Sequence, residues 1–195
     1  MKQTELFLQS DAALRSVIDR IEPEQLGLPA PAEWSFTPNP TIRDIVAAHA
    51  RDEAWVPDVL LGRTIEDAGG TYDGDLLGTD PITAYDRLND AATAAVNEDL
   101  DPEKVVHLSY GDYPIREYLE HISTYRAFQA WSIARTLGWD YSLPAPLVEN
   151  LWELIGPQVD GFRAMGVFPP EIEAPAGADR ETQLLCRVGY WFPKP

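Results

Sequence analysis

The sequence predicts an all-α protein, an antiparallel helical bundle with a small C-terminal extension. Two observations carry this. Apolar residues recur at three- and four-residue spacing along successive segments, as in amphipathic helices with one buried face. The connections between them are modest and rich in Pro and Gly, and no repeat of about 20–50 residues signals a solenoid or propeller. Four or five such helices bury their stripes most simply against one another. Of the 195 residues, 45% are hydrophobic and 24% charged, a globular rather than a disordered composition. A chain of this length buries roughly 70% of its unfolded surface and needs no disulfide or metal staple. Residues 1–165 are expected to form the bundle domain and 166–195 an extension packed on it.

The elements follow in order. Residues 4–21 place Phe7, Leu14, Val17, Ile18 and Ile21 on one helical stripe. From Pro29 to Pro40 the chain is Pro-rich, an ordered loop anchored by Trp34 and Phe36. Thr41 is an N-cap with Asp44 three residues on, a capping box with Asp in place of Glu. The second helix runs to about Leu61, is expected to kink at Pro57 and stops at Gly62. Residues 62–80 carry five glycines among five acidic residues and read as a long loop. Such a loop is either a lid or a solvated connection, and Asp73-Gly74-Asp75 lacks calcium-loop spacing.

A third helix covers about Pro81 to Asn97, with Ile82, Tyr85, Leu88, Ala92 and Ala95 as its stripe. Asp101-Pro102 opens a linker that contains His107 and a turn at Gly111-Asp112. The fourth helix, about Pro114 to Gly138, is the longest, and its stripe is Ile115, Leu119, Ile122, Ile133 and Leu137. A fifth begins near Pro146 and is broken or bent by Pro157. Residues 167–173 read as extended, and Ala178–Val188 as a short helix before the aromatic end Tyr190-Trp191-Phe192.

Charge excludes several partners. Fifteen basic against 32 acidic residues give a net −17, and no Lys/Arg run interrupts it. Such a field repels phosphate backbones and anionic membranes, so neither nucleic acid nor a membrane is an expected partner. No run of about 18 apolar residues exists to span a bilayer. Cys186 is the sole cysteine, which excludes an internal disulfide and fits a reducing, cytoplasmic setting. The apolar stretch after Met1 is too short for a secretion signal.

The most informative residues are polar ones on apolar faces. At about 100° per residue, His49 falls at the centre of the stripe formed by Ile45, Val46, Val56 and Leu60. Glu53 lies one turn on. Polar groups at such positions must pair, bind metal or face a cavity, so they are either a local His49–Glu53 pair or part of a site. On the fourth helix Arg126 and Gln129 lie inside the apolar arc, Tyr125 and Ser132 flank it, and His121 lies further round. Glu117 and His121 repeat the one-turn carboxylate–imidazole spacing, and two such pairs on facing helices can build a metal site. Arg126 is expected to hold a carboxylate, from Glu53 or from a ligand. The chain has no GxSxG, GxGxxG, P-loop or HExxH motif.

Two phrases carry a family resemblance. Thr41-Ile42-Arg43-Asp44-Ile45-Val46-Ala47-Ala48-His49 and Trp131-Ser132-Ile133-Ala134-Arg135-Thr136-Leu137-Gly138 resemble the DinB-like superfamily. The closest branch is the actinobacterial one that includes mycothiol-dependent maleylpyruvate isomerase. Gly166-Val167-Phe168, Ala178-Asp179-Arg180 and Leu184-Leu185 are similar to that branch's tail. The resemblance implies an antiparallel four-helix bundle with a divalent metal at one end, such as Zn or Ni. The ligands would be a His of the second helix and a Glu/His pair of the fourth.

Here Tyr125 and Gln129 stand where the family has that pair, Ser132 replaces an Asp, and His49 comes one residue late, with Ala48 in its place. His49 is still the best single metal-ligand candidate. Two functions follow as expectations. One is a divergent thiol-dependent transferase or isomerase of the mycothiol type, acting on a small anionic substrate. His49, Glu53, His121 and Arg126 would then be catalytic, and Tyr125 and Gln129 would bind the thiol or cofactor. The alternative is a metal-free binding or regulatory bundle. Trp55, Trp139, Trp152 and Trp191 would serve either the core or a homodimer face.

Overall fold

The computed structural model of the protein describes residues 2–35 and 37–193. Phe36, read as a loop anchor, lies outside them. Among the described residues helix makes up 59%, in eight α-helices and three short 3-10 helices, accompanied by one two-stranded sheet. The helices are α1 (Lys2–Ile18), α2 (Ile42–Leu61), α3 (Ile65–Ala68), α4 (Pro81–Ala95), α5 (Ile115–Thr136), α6 (Ala145–Leu154), α7 (Val159–Ala164) and α8 (Arg180–Val188). Strands β1 (Val105–Leu108) and β2 (Gly111–Pro114) pair antiparallel in front of α5. None of the described helices is long and apolar enough to cross a membrane.

Local chemistry sets the ends of these helices. Thr41 accepts from the Asp44 amide while Asp44 accepts from the Thr41 amide, which closes the expected capping box on α2. Gly62 ends α2 at φ +85°, a conformation that glycine adopts at no steric cost. Pro57 lies inside the continuous α2 helix. It offers no N–H to the carbonyl one turn back, that of Glu53. Asp80 caps α4, and Asp179 caps α8 through the Thr182 amide.

The long helices pack α1 on α5 and α2 on α4, with α6 against α1 and α8 against α6. Two apolar clusters result. The larger joins Leu14, Val17, Ile18, Ile45 and Ile133 to Leu147, Leu151, Leu184 and Leu185. The smaller joins Phe7, Val56, Leu60, Ala92, Val106 and Leu119 at the hairpin end. Burying each large side chain contributes roughly 1.5–3 kcal/mol. Residues 166–193 therefore share the main core through Phe168, Leu184, Leu185 and Val188. Cys186 is buried among them at 1% exposure, where burial raises its thiol pKa.

Three segments differ from expectation. The 62–80 loop contains the one-turn helix α3, capped by Thr64 with Asp67. The 101–114 linker is a β-hairpin, with Val106 paired to Tyr113 and His107 to Asp112. Four-residue strands are too short to display a period of two, but tertiary bonds fix them. Lys104 Nζ donates to the Leu60 carbonyl at the end of α2 (2.7 Å), and the Ile115 amide to the Lys104 carbonyl. Residues 167–173, expected to be extended, form no strand; the Ile172 amide instead bonds the Cys186 carbonyl.

Gly189 ends α8 at φ +80°, and a Cβ there would lie 2.5 Å from the Pro170 carbonyl oxygen. The left-handed conformation alone costs a non-glycine residue about 1–2 kcal/mol. Gly189→Ala is expected to lower the melting temperature and to expose residues 166–193 to limited proteolysis before the bundle itself. Unchanged melting and cleavage would show that this contact does not hold the extension.

Candidate functional site

The polar residues read on the apolar faces are buried, and they form a layer between the two clusters. His49, Glu53 and Arg126 are 0% exposed, Asp11 1% and Gln129 2%. Asp11 falls between Phe7 and Leu14 along α1, Glu53 between Ala50 and Val56 along α2, and Arg126 between Leu119 and Ala127 along α5, with His49 and Gln129 on the side of the larger cluster. Arg126 Nη2 donates to Glu53 Oε2 at 2.7 Å, and its Nη1 is 2.9 Å from Asp11 Oδ1. Tyr85 Oη donates to Glu53 Oε1 (3.1 Å) and Thr93 Oγ1 to Asp11 Oδ2 (2.5 Å). The guanidinium also lies over the Phe7 ring, 4.5 Å from its centroid.

This arrangement decides between alternatives the sequence left open: Arg126 holds the carboxylate of Glu53. Arg126 does not hold a ligand carboxylate, because Glu53 and Asp11 already occupy its guanidinium and no solvent reaches it. Glu53 does not pair with His49, since its oxygens face Arg126 and Tyr85. Neither ring nitrogen of His49 has a hydrogen-bond partner among the described residues, and the imidazole packs on the Tyr125 ring at 4.7 Å. Burial, aided by Arg126, pushes His49 down to about 3, so it stays neutral and is a weak base.

Burial also raises Glu53, to about 8, with the like charge of Asp11 adding and Arg126 opposing. Two carboxylates facing one guanidinium out of water favour keeping one proton.

His121 lies apart from this layer, half-buried, with Tyr110 Oη 3.4 Å from its Nδ1 and Tyr113 edge-on at 5.0 Å. Glu117 faces Arg116, not His121. His49, Glu53, Glu117 and His121 therefore do not converge. Among the described residues no three His, Cys, Asp or Glu side chains are grouped to hold a metal. The divalent ion implied by the resemblance does not fit here. Tyr125 and Gln129 are poor substitutes for a carboxylate and an imidazole, and Glu53 is engaged by Arg126.

His121 and Tyr125 do open on a cleft of about 600 Å³ between α2, α5, the hairpin and the α3 segment. Asp52, Trp55 and Val59 form its α2 wall, and Tyr118, His121 and Tyr125 its α5 wall. Tyr72 and Tyr110 close it from the α3 segment and the hairpin. Asp52 is partly buried; desolvation raises its carboxyl to about 6 against the opposing charges of Arg126 and Arg51. No described residue donates a hydrogen bond to it. A second cleft, of about 520 Å³, lies beside the C-terminal segment and is walled by Trp34, Gln129, Phe168 and Trp191. Gln129 Oε1 has no partner there, and Tyr125 is common to both clefts.

Sequence reasoning missed Asp52, Trp55, Tyr110 and Tyr118. The signal was a second stripe beside the apolar one. Asp52, Trp55 and Val59 follow helical spacing on α2, and Tyr118, His121 and Tyr125 on α5. Comparison with family models, curated proteins and solved structures finds no match to the chain.

Removing Arg126 strands two buried carboxylates. Arg126→Met is expected to cost about 3–5 kcal/mol in denaturant unfolding, whereas replacing Arg126, Glu53 and Asp11 together by apolar residues recovers most of it. A loss under 1 kcal/mol for the single variant would show that the network does not hold the core.

The folded pKa of Glu53, about 8, lies above its ordinary 4.5. Its contribution is therefore full below that ordinary value and is lost as pH rises through the folded one. His49 works in the opposite sense: its contribution is present above 6.5 and lost as pH falls toward 3. Glu53→Gln is expected to flatten the fall of melting temperature between about pH 5 and 8, and His49→Phe the fall below about pH 6. Parallel profiles in all three proteins would refute both assignments.

Proposed function

We propose that the chain is a DinB-like four-helix bundle that binds a small organic molecule without the superfamily's usual metal centre. The ligand occupies the cleft between α2, α5 and the hairpin. One observation carries the reading. Arg126, Asp11 and Glu53 are drawn into one ion-pair network in the core, while Asp52 is left without a donor among the described residues in an aromatic-walled cleft of about 600 Å³. Cavities of about 300–1,000 Å³ with apolar walls and few polar groups are the usual form of small-molecule sites. The bundle assignment is supported by the two helix phrases and by the four long helices α1, α2, α4 and α5.

A second reading keeps chemistry at the same cleft, and the position of Asp52 favours it. A carboxyl raised to about 6 changes protonation near neutral pH, as a general acid–base group must. His121 offers an imidazole from the opposite wall. An isomerase or thiol transferase would use these groups rather than His49 or Arg126.

Purified protein is expected to hold no stoichiometric Zn or Ni and to keep its melting temperature under chelation. Fragment screening by NMR is expected to shift the Trp55 indole N–H. If no fragment perturbs Trp55, the cleft is not the ligand site. Stoichiometric metal that disappears on His49→Ala would restore a metal-dependent function. Chemical conversion of a bound fragment, abolished by Asp52→Asn, would decide for the enzyme over the binding protein.

A further inference from the structure

We infer that the cleft between α2, α5 and the hairpin takes a small organic cation, an alkylammonium whose charge meets Asp52 and whose apolar groups lie against the surrounding rings. The inference rests on the cleft being a small-molecule site and adds the chemical class of what enters it.

The rings come first. Trp55 and Tyr72 stand side by side with centroids 5.0 Å apart, Tyr118 and Tyr125 face them from α5, and Tyr110 stands on the hairpin. Aromatic faces are the negative part of the ring quadrupole, and a partly desolvated cation gains from several of them at once. Neutral apolar ligands would gain from the same area, so rings alone do not choose.

Charge makes the choice. Every positive group in or behind the walls already faces an acid. Arg51 Nη1 is 3.7 Å from Asp73 Oδ1, and His107 Nδ1 is 2.8 Å from Asp112 Oδ1. Arg126, behind the α5 wall, lies between Glu53 and Asp11. His121 is held toward its neutral form by desolvation, with the Tyr110 hydroxyl near its Nδ1. What remains without a direct partner among the described residues is the half-buried carboxyl of Asp52, on which Arg126 and Arg51 act only through coulombic attraction.

An ammonium supplies the missing opposite charge. An anion would have to displace Asp73 from Arg51 and sit near a second negative group. The net charge of −17 also concentrates cations, not anions, at the cleft mouth.

The test uses the full chain and three probes of similar size: choline, its neutral carbon isostere 3,3-dimethylbutan-1-ol, and maleate. Binding is read from Trp55 fluorescence and the Trp55 indole N–H signal. Choline is expected to bind at least about tenfold more tightly than the isostere, and maleate not to compete. Asp52→Asn should erase that preference while leaving the isostere's weak binding unchanged. Asp52→Asn also removes a desolvated charge, so it is expected to fold.

Equal binding of choline and its isostere, or a preference for maleate, overturns the cation assignment and leaves the cleft as a ligand site. If no probe and no library fragment perturbs Trp55, both readings fall together. A cation preference that survives Asp52→Asn refutes the role given to that carboxylate.

Discussion

A guanidinium sealed from water is stable only where carboxylates meet it, and the bundle is arranged around that requirement at Arg126. The ion pairs join three helices. Asp11 arrives on α1, Glu53 on α2 and Arg126 itself on α5, while Tyr85 of α4 and Thr93 near its end donate further hydrogen bonds to the two carboxylates. The apolar stripes alone would tolerate sliding of one helix along another, since hydrocarbon contacts are not directional. The ion pairs are directional and fix the axial register of α1, α2 and α5 at one level. Above and below that level lie the two apolar clusters.

The same layer explains where chemistry is and is not available. Buried polar groups that satisfy one another make no offer to a ligand. Both ring nitrogens of His49 are unpartnered in that layer, but desolvation keeps it neutral and it faces a tyrosine ring. The groups with free capacity lie one residue round the helices, where Asp52 follows Arg51 and precedes Glu53. A 100° step on α2 thus separates a structural carboxylate from one that faces a cavity.

Much of the bundle was legible because its periodicity is long and strong. The stripe Phe7–Leu14–Val17–Ile18–Ile21 is buried throughout, and the burial of His49, Glu53, Arg126 and Gln129 followed from their angular positions. The capping box at Thr41 and Asp44 is present atom for atom. What periodicity does not contain is the identity of partners across space. Nothing local marks Asp11 as buried, because only the tertiary contact of α1 with α5 reveals the cation opposite it. The hairpin escaped for a related reason: its strands are defined by each other and by Lys104 reaching the end of α2, not by a local pattern. With the hairpin went Tyr110 and the recognition that α2 and α5 leave a cleft beneath it.

The pairing of the first helix with the fifth has a consequence for how the protein is made. During synthesis α1 leaves the ribosome long before α5 exists, so Asp11 lacks Arg126, and Phe7 and Leu14 lack their α5 neighbours, for most of translation. A nascent chain that stops short of Ile115 lacks both the cation and the helix on which α1 chiefly packs. Consolidation of the N-terminal half therefore waits on the C-terminal half, and premature release would yield a fragment with an exposed greasy helix, a ready substrate for chaperones and proteases.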